Sequence, residues 1–194
     1  MIRRIEICGA IASGKSTLAR LLDLNGYTAI YERFEDNPFL KQFYQEAGQD
    51  TSFETEMVFV LLHYSQIKQM QTKDLIVSDY SMLQDYCYAL QNLNESEKKV
   101  FENTYNYLSE HLIPNNLVIY LKCGVDCLQS RIRRRDRDME STISRVYLQQ
   151  HIEILEKELE KVENVLVIDS EKYDFRGPDS EEVLKLIEGT GIVK

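Results

Sequence analysis

Residues 9 to 17 read Gly9-Ala10-Ile11-Ala12-Ser13-Gly14-Lys15-Ser16-Thr17, and this stretch restricts the fold more than any other. Its spacing is G-x-x-x-x-G-K-[ST]. The segment before it, Ile2 to Cys8, alternates Ile5 and Ile7 with charge as a strand does. The segment after it, Lys15 to Leu24, sets Leu18, Leu21 and Leu22 on one helical face. A strand, a glycine turn and a helix in that order form a phosphate cradle. Gly9 and Gly14 let the backbone curl, so that successive N–H groups point inward at phosphate oxygens. The helix start adds the positive end of its dipole. Lys15 reaches the β- and γ-phosphates of a triphosphate, and the Ser16 hydroxyl is a ligand for Mg²⁺. The loop by itself leaves ATPase, GTPase and kinase chemistry open.

The remaining elements fix the architecture. Strands are expected at Tyr27–Tyr31, Asp74–Asp79, Leu117–Leu121 and Val165–Ile168. Helical spacing covers Asn37–Gln45, Phe53–Met70, Met82–Gln91, Glu95–Leu112, Val125–Arg134, Thr142–Lys161 and Ser180–Ile187. Leu117–Leu121 is five apolar or aromatic residues in a row, the mark of a central parallel strand. Alternation of strands with helices predicts an α/β protein of the P-loop NTPase fold, a five-stranded parallel sheet flanked by helices. Every turn at the carboxyl edge of such a sheet is a candidate ligand position.

With 194 residues and no repeat, linker or low-complexity segment, one domain over residues 1–194 is expected. The net charge of −9 argues against general nucleic-acid binding. No apolar run approaches the ~18 residues of a membrane span, and the charged N-terminus is unlike a signal core. Cys8, Cys87, Cys123 and Cys127 lack zinc spacing and read as buried free thiols, which fits a cytoplasmic protein.

Two further features bear on chemistry. The run Arg131-Ile132-Arg133-Arg134-Arg135-Asp136-Arg137 places five arginines in seven residues of an acidic chain. Guanidinium forks suit the oxygens of a phosphoryl group in flight, and a segment this rich in like charge is suited to closing over a bound triphosphate as a lid. The plainer alternative is a solvated helix paired with Asp136, Asp138 and Glu140. Glu32, at the expected end of the second strand, is placed to accept a proton from an attacking hydroxyl; a surface acid would look the same.

The run Glu32-Arg33-Phe34-Glu35-Asp36-Asn37-Pro38-Phe39-Leu40 resembles the E-P-x-x-D-N-P-[YF]-L segment of bacterial deoxynucleoside kinases. The run Arg131 to Glu140 resembles their R-I-x-x-R-x-R-x-x-E, and Tyr147-Leu148 with the helix after it also looks like that family. The resemblance covers residues 1 to about 170. It implies ATP as donor with Mg²⁺, to which Ser16 of the loop is a ligand, and a deoxynucleoside as acceptor; Asp79 is placed either to help the base or to hold Mg²⁺ through water. It implies Glu32 as the base on the 5′-hydroxyl, and Lys15, Arg131, Arg135 and Arg137 on the transferring phosphoryl. It places Glu140 and Tyr44 on the sugar 3′-hydroxyl, lines the base pocket with Glu56, His63 and Asp85, and makes the protein a homodimer.

Two departures from the family pattern stand out. Its [DE]-R-S triplet reads Asp79-Tyr80-Ser81 here, and Arg33 is the nearest cation in sequence to replace the missing arginine. Its base-reading glutamine is Glu56, which as an ionised acceptor would match the N1–H and N2–H donors of guanine. A deoxyguanosine preference follows; as a solvated helix acid Glu56 would carry none. Other small acceptors, a modified nucleoside or a nucleoside monophosphate, and a non-catalytic nucleotide-binding subunit, are the competing readings. A GTPase is disfavoured, because the guanine-reading N-K-x-D pattern is absent.

Overall fold

The computed structural model describes residues 3–45, 51–140 and 142–192; Ile2, included above in the first strand, lies outside them. Five strands form one sheet: β1 (Arg3–Cys8), β2 (Thr28–Ile30), β3 (Leu75–Ser78), β4 (Leu117–Lys122) and β5 (Val165–Asp169). Their order is β2-β3-β1-β4-β5, with all neighbours parallel. The chain leaves central β1 for the β2 edge, returns through β3, then crosses to β4 on the other side. The order thus reverses at β1, and a crevice opens at its carboxyl end, where Gly9 begins.

Alternation along the central strands decides which helices cover which face. Ile5, Ile7, Leu117, Ile119 and Leu121 point to one face and pack with Leu18, Ala19 and Leu22 of α1 (Lys15–Asp23). Val183 and Ile187 of α8 (Ser180–Glu188) complete that layer. The opposite face carries Cys8, Val118 and Tyr120 against Cys87 of α4 (Met82–Asn92) and Leu155 and Leu159 of α7 (Arg145–Leu159). Farther along that face, Ile30 and Ile76 meet Val60 and Ile67 of α3 (Ser52–Met70) and Phe101 of α5 (Glu95–Glu110). Each fully buried aliphatic side chain contributes about 1.5–3 kcal/mol from burial, so the two-sided burial of β1 and β4 anchors the sheet.

A charged pair on β1 enters this interior. Glu6 of β1 is buried, pairs with Arg4 at 3.3 Å, and accepts from the Ser81 hydroxyl at 2.9 Å and the Met82 amide at 3.2 Å. It therefore supplies an acceptor at the start of α4, where an anion is favoured by the unpaired amides and the dipole.

Two helices begin later than the sequence predicts. The helix expected from Asn37 is α2 (Leu40–Gln45). The Asn37 side-chain Oδ1 accepts from the Phe39 amide at 3.1 Å and its side-chain N–H₂ donates to Thr55 O at 3.0 Å, holding the chain in a turn through Pro38. The helix expected from Thr142 begins at Arg145, because Ser144 accepts from the Tyr147 amide at 3.1 Å and caps it. Short 3-10 turns at Phe34–Asp36 and Asp138–Glu140 have no counterpart in the sequence reading. The last basic helix, α6 (Val125–Arg135), ends at Asp136, which adopts φ 50° in the left-handed region. Cys8, Cys87 and Cys123 are buried free thiols as expected, whereas Cys127, also expected to be buried, is a half-buried free thiol. No helix among the described residues is long and apolar enough to cross a membrane.

Gly9 adopts φ 144°, and a Cβ there would lie 2.7 Å from Ser13 Oγ and 2.8 Å from the Leu121 carbonyl oxygen. Backbone strain and this clash together predict that Gly9→Ala costs about 2–3 kcal/mol. Gly26→Ala, also at positive φ but with nothing within 4 Å, is expected to cost less, about 1–2 kcal/mol. Denaturant midpoints of the two variants check the order; equal losses would mean that the close approach at Gly9 is not what matters.

Candidate active site

The glycine turn is closed by its own backbone and held from two sides. The Ser13 amide donates to Ala10 O at 3.0 Å, and Ala12 takes φ 67° to complete the curl. From α4, Gln84 accepts the Gly9 amide at 2.9 Å. From α6, Arg131 donates to Ser13 O at 3.0 Å, to Ser170 Oγ at 3.1 Å and to Ser170 O at 2.6 Å. Its guanidinium thus ties the turn to the end of β5, whereas the sequence reading gave Arg131 a role on the phosphoryl group. Gly14 caps α1 without a side-chain acceptor, which leaves the helix start open to an anion. Lys15 Nζ donates to Gly9 O at 2.7 Å and Ala10 O at 3.3 Å. Burial lowers its pKa, while Glu32, Asp79 and the Cys8 thiol below pull the other way. Ile11, Ser16 and Thr17 also line the cavity described below.

Glu32 and Asp79 face this turn from the ends of β2 and β3. The Asp79 amide donates to Ile30 O at 3.0 Å, and the Glu32 amide donates to Asp79 Oδ1 at 2.6 Å. The two strand ends fix each other. Burial pushes the Glu32 carboxyl up, but hydrogen bonding and charge from His63, with Lys15 and Arg137, outweigh it and leave it below the usual range. Glu32 is therefore ionised at neutral pH, as a proton acceptor must be. Burial holds Asp79 above its ordinary value against a hydrogen bond from Ser16 and the Glu32 amide. That hydrogen bond brings the Ser16 hydroxyl and the Asp79 carboxyl to one place, and two hard oxygen donors suit Mg²⁺.

A cavity of about 740 Å³ runs from this turn to the faces of α3 and α4. Its wall on α3 and α4 holds Glu56, His63 and Asp85, all buried. Glu56 is 4 % exposed, so it is not a solvated helix acid. Asn92 donates to Glu56 Oε1 at 2.7 Å and to the Tyr147 hydroxyl at 3.2 Å. Burial, opposed by Asn92 and reinforced by the charge on Asp85, raises the Glu56 pKa to about 8. This corrects the sequence reading: at neutral pH Glu56 is mostly an uncharged acid with a donor and an acceptor, not an ionised acceptor pair.

His63 Nδ1 lies 2.8 Å from Asp85 Oδ2 and its Nε2 3.5 Å from Glu32 Oε1, while its ring stacks on Tyr80 at 3.8 Å. Arg33, the cation nearest in sequence, is exposed and does not line the cavity. The cations that act on Glu32 are His63, Lys15 and Arg137.

The basic run divides its work. Arg135 makes a forked pair with Glu140, its Nε donating at 3.0 Å. Arg137 donates to the same carboxyl at 3.3 Å and lies 4.5 Å above the Phe34 ring. Glu140 is buried by this pairing. It shares the cavity wall with Tyr44, whose phenol pKa burial holds well above the ordinary value, and whose backbone carbonyl accepts from Thr142 at 3.2 Å.

Gln84, Tyr88, Phe59 and Arg134 also line the cavity without having been singled out in the sequence, and Asn92 stands behind Glu56. Gln84 and Tyr88 follow from helical spacing, since they share an α4 face with Asp85. Asn92 carries no comparable signal, because its role depends on a crossing of α3, α4 and α7.

Comparison with known proteins agrees with this geometry. A sequence model of the deoxynucleoside kinase family matches residues 5–190. The deoxyguanosine kinase of Bacillus subtilis (strain 168) is 32% identical over 183 residues, 88% of each chain. A Lactobacillus acidophilus deoxyguanosine kinase is 26% identical, across 94% of this chain and 87% of the relative. Among solved structures, M. mycoides deoxyadenosine kinase with dCMP and a flexible dCDP superposes with a TM-score of 0.81 at 25% identity, covering 95% of this chain and 99% of the other. With its phosphate turn, its ionised Glu32 and its P-loop sheet, the chain belongs to the deoxynucleoside kinase family and is an ATP-dependent phosphotransferase.

Proposed function

We propose that this enzyme transfers the γ-phosphoryl group of ATP to the 5′-hydroxyl of a deoxynucleoside, with deoxyguanosine preferred. The observation that carries this is one cavity lined by the phosphate turn, by Glu32 with the His63–Asp85 pair beside it, and by Glu56 two helical turns from His63 along α3. A nucleoside laid along it puts its 5′-hydroxyl toward Glu32 and its base toward Glu56. Glu32 takes the hydroxyl proton, the turn amides and Lys15 hold the phosphate chain, and Arg135 and Arg137 approach from the basic run as a lid. Ser16 and Asp79 are the residues that would hold Mg²⁺, which neutralises charge on the phosphates when bound. Glu140 and Tyr44, also on the cavity wall, bracket the sugar. A homodimeric, cytoplasmic enzyme is the form the family resemblance supports.

The preference for guanine rests on Glu56 and on the likeness to deoxyguanosine kinases. Guanine offers two adjacent N–H donors, which favour the ionised carboxyl, so its binding draws the proton from Glu56. Adenine and cytosine offer a ring acceptor, which favours the protonated acid. In the folded chain Glu56 keeps its proton to about pH 8, whereas an unfolded glutamate loses it near ~4.3. Between those values the folded state binds more protons, so this group's contribution to stability falls as pH rises.

Radiolabelled phosphate transfer from ATP to the four deoxynucleosides tests the activity. Deoxyguanosine is expected to give the highest kcat/KM, Glu32→Gln to lower kcat by about 10²–10⁴-fold, and Lys15→Ala to give no measurable turnover. An unreactive wild-type chain would indicate a nucleotide-binding subunit instead.

Glu56→Gln tests the base pocket in two ways. Its stability gain over wild type is expected to be small at pH 5 and to reach the order of 2–4 kcal/mol at pH 8, by denaturant melts. The deoxyguanosine-to-deoxyadenosine ratio of kcat/KM is expected to rise with pH through about 8 in the wild type and to stay flat in the variant. A flat wild-type ratio would remove Glu56 from base selection.

A further inference from the structure

His63 lies inside the interior with 2 % of its surface exposed, and both ring nitrogens face carboxylates. Nδ1 is 3.0 Å and 2.8 Å from the two Asp85 oxygens, and Nε2 is 3.5 Å from Glu32 Oε1. A neutral imidazole has one N–H and one lone pair. In either tautomer the lone pair would point at a carboxylate. The doubly protonated ring offers an N–H to each: a hydrogen bond from Nδ1 to Asp85 and, from Nε2, which makes no hydrogen bond of its own, an ion pair with Glu32.

The ring is also fixed in orientation. It stacks on Tyr80 with centroids 3.8 Å apart and planes 10° from parallel, and Phe59 tilts against it at 5.7 Å. The Tyr80 hydroxyl donates to the His63 backbone oxygen at 3.4 Å, so ring and platform hold each other. An imidazolium over an electron-rich ring is further stabilised. The charged groups acting on it are Asp85 of α4 and Glu32 beyond β2, and it acts in turn on Glu56 of its own helix; Glu6 of β1 and Asp79 beyond β3 act on the Tyr80 ring stacked against it.

We propose that His63 is a permanently charged positioning residue that aims Glu32 at the acceptor hydroxyl, supplying from α3 the cation that Asp79-Tyr80-Ser81 lacks. This deepens the kinase reading above and rests on it. With Lys15 as its sole cation the Glu32 carboxylate, 36 % exposed, would turn toward the phosphate turn; the imidazolium draws it from the other side and holds it between the two. Burial works against the charge, and the adjoining carboxylates Asp85 and Glu32 outweigh burial, with the His63 pKa raised to about 10.

The chain supplies its own control. His151 is equally buried and stacks on Tyr88 at 3.8 Å and 15°, but its Nδ1 meets the Gln91 amide oxygen at 3.1 Å instead of a carboxylate. Burial, with the charge on Lys15, lowers its pKa to about 3. Nitrogen-15 NMR of the wild-type chain, which has three histidines, distinguishes the two rings. His63 is expected to carry protons on both nitrogens from pH 6 to 8.5, while His151 carries one.

Kinetics supply the second arm. His63→Gln is expected to lower kcat about 100-fold with KM for deoxynucleoside changed less than about fivefold. His63→Arg, planar and cationic, is expected to regain at least tenfold of that loss. A His63 ring with a single proton at pH 7.5, a loss confined to KM, or an arginine variant that folds yet is no more active than the glutamine variant would each overturn the proposal. The NMR arm requires no turnover, so it fails independently of the kinase reading.

Discussion

The hydrogen bond from the Glu32 amide to Asp79 is the contact on which the site's geometry depends. Parallel strands have no hairpin to align their ends, and β2 is a three-residue edge strand with little ladder of its own. The Asp79 amide meets Ile30 O, and the Asp79 side chain meets the next segment at Glu32. This reciprocal pair stops both strands at one level. It sets Glu32 above the phosphate turn, while the Asp79 carboxyl faces Ser16 at the head of α1. Remove it and the proton acceptor and the phosphate cradle would still exist, but on elements free to drift apart.

Charge is the second organising principle. Glu32, Asp79, Asp85 and Glu140 all approach a single cavity in a protein of net charge −9. Unpaired carboxylates at such depth would be strongly unfavourable. The structure answers three of them with cations, Lys15 and His63 at Glu32, His63 at Asp85, and Arg135 and Arg137 at Glu140, and Asp79 with hydrogen bonds from Ser16 and the Glu32 amide. Glu56 is compensated by holding its proton and by the Asn92 amide. Much of the basic run is therefore engaged with protein groups, Arg131 with the turn and Arg135 with Glu140.

Much of this was legible in the sequence because the controlling features are local. The Gly9–Thr17 spacing, the strand before it and the helix after it are contiguous, and so is the alternation that marks β1 and β4 as central. Glu32, Asp79 and the basic run could be placed because each follows a strand or ends a helix at the carboxyl edge. What escaped depends on contacts between distant segments. Arg33, the nearest cation in sequence to the altered triplet, stands outside the cavity, whereas His63 reaches Glu32 from a distant segment through the packing of α3 against the sheet. The charge of Glu56 was misjudged because ionisation depends on burial, and burial at this position is decided by α4 and α7. The late starts of α2 and α7 reflect side chains of Asn37 and Ser144 competing for backbone amides, a preference that periodicity alone does not register.

Helix α4 touches two parts of the cavity wall. Its first turn is held by Glu6 of the central strand, Gln84 accepts the first amide of the phosphate turn, and one residue later Asp85 grips His63 beside the base. These contacts fall within a single helical turn, too short to flex between them. The phosphate turn and the Asp85–His63 pair are therefore anchored on adjacent residues of one helix, which fixes the spacing between them.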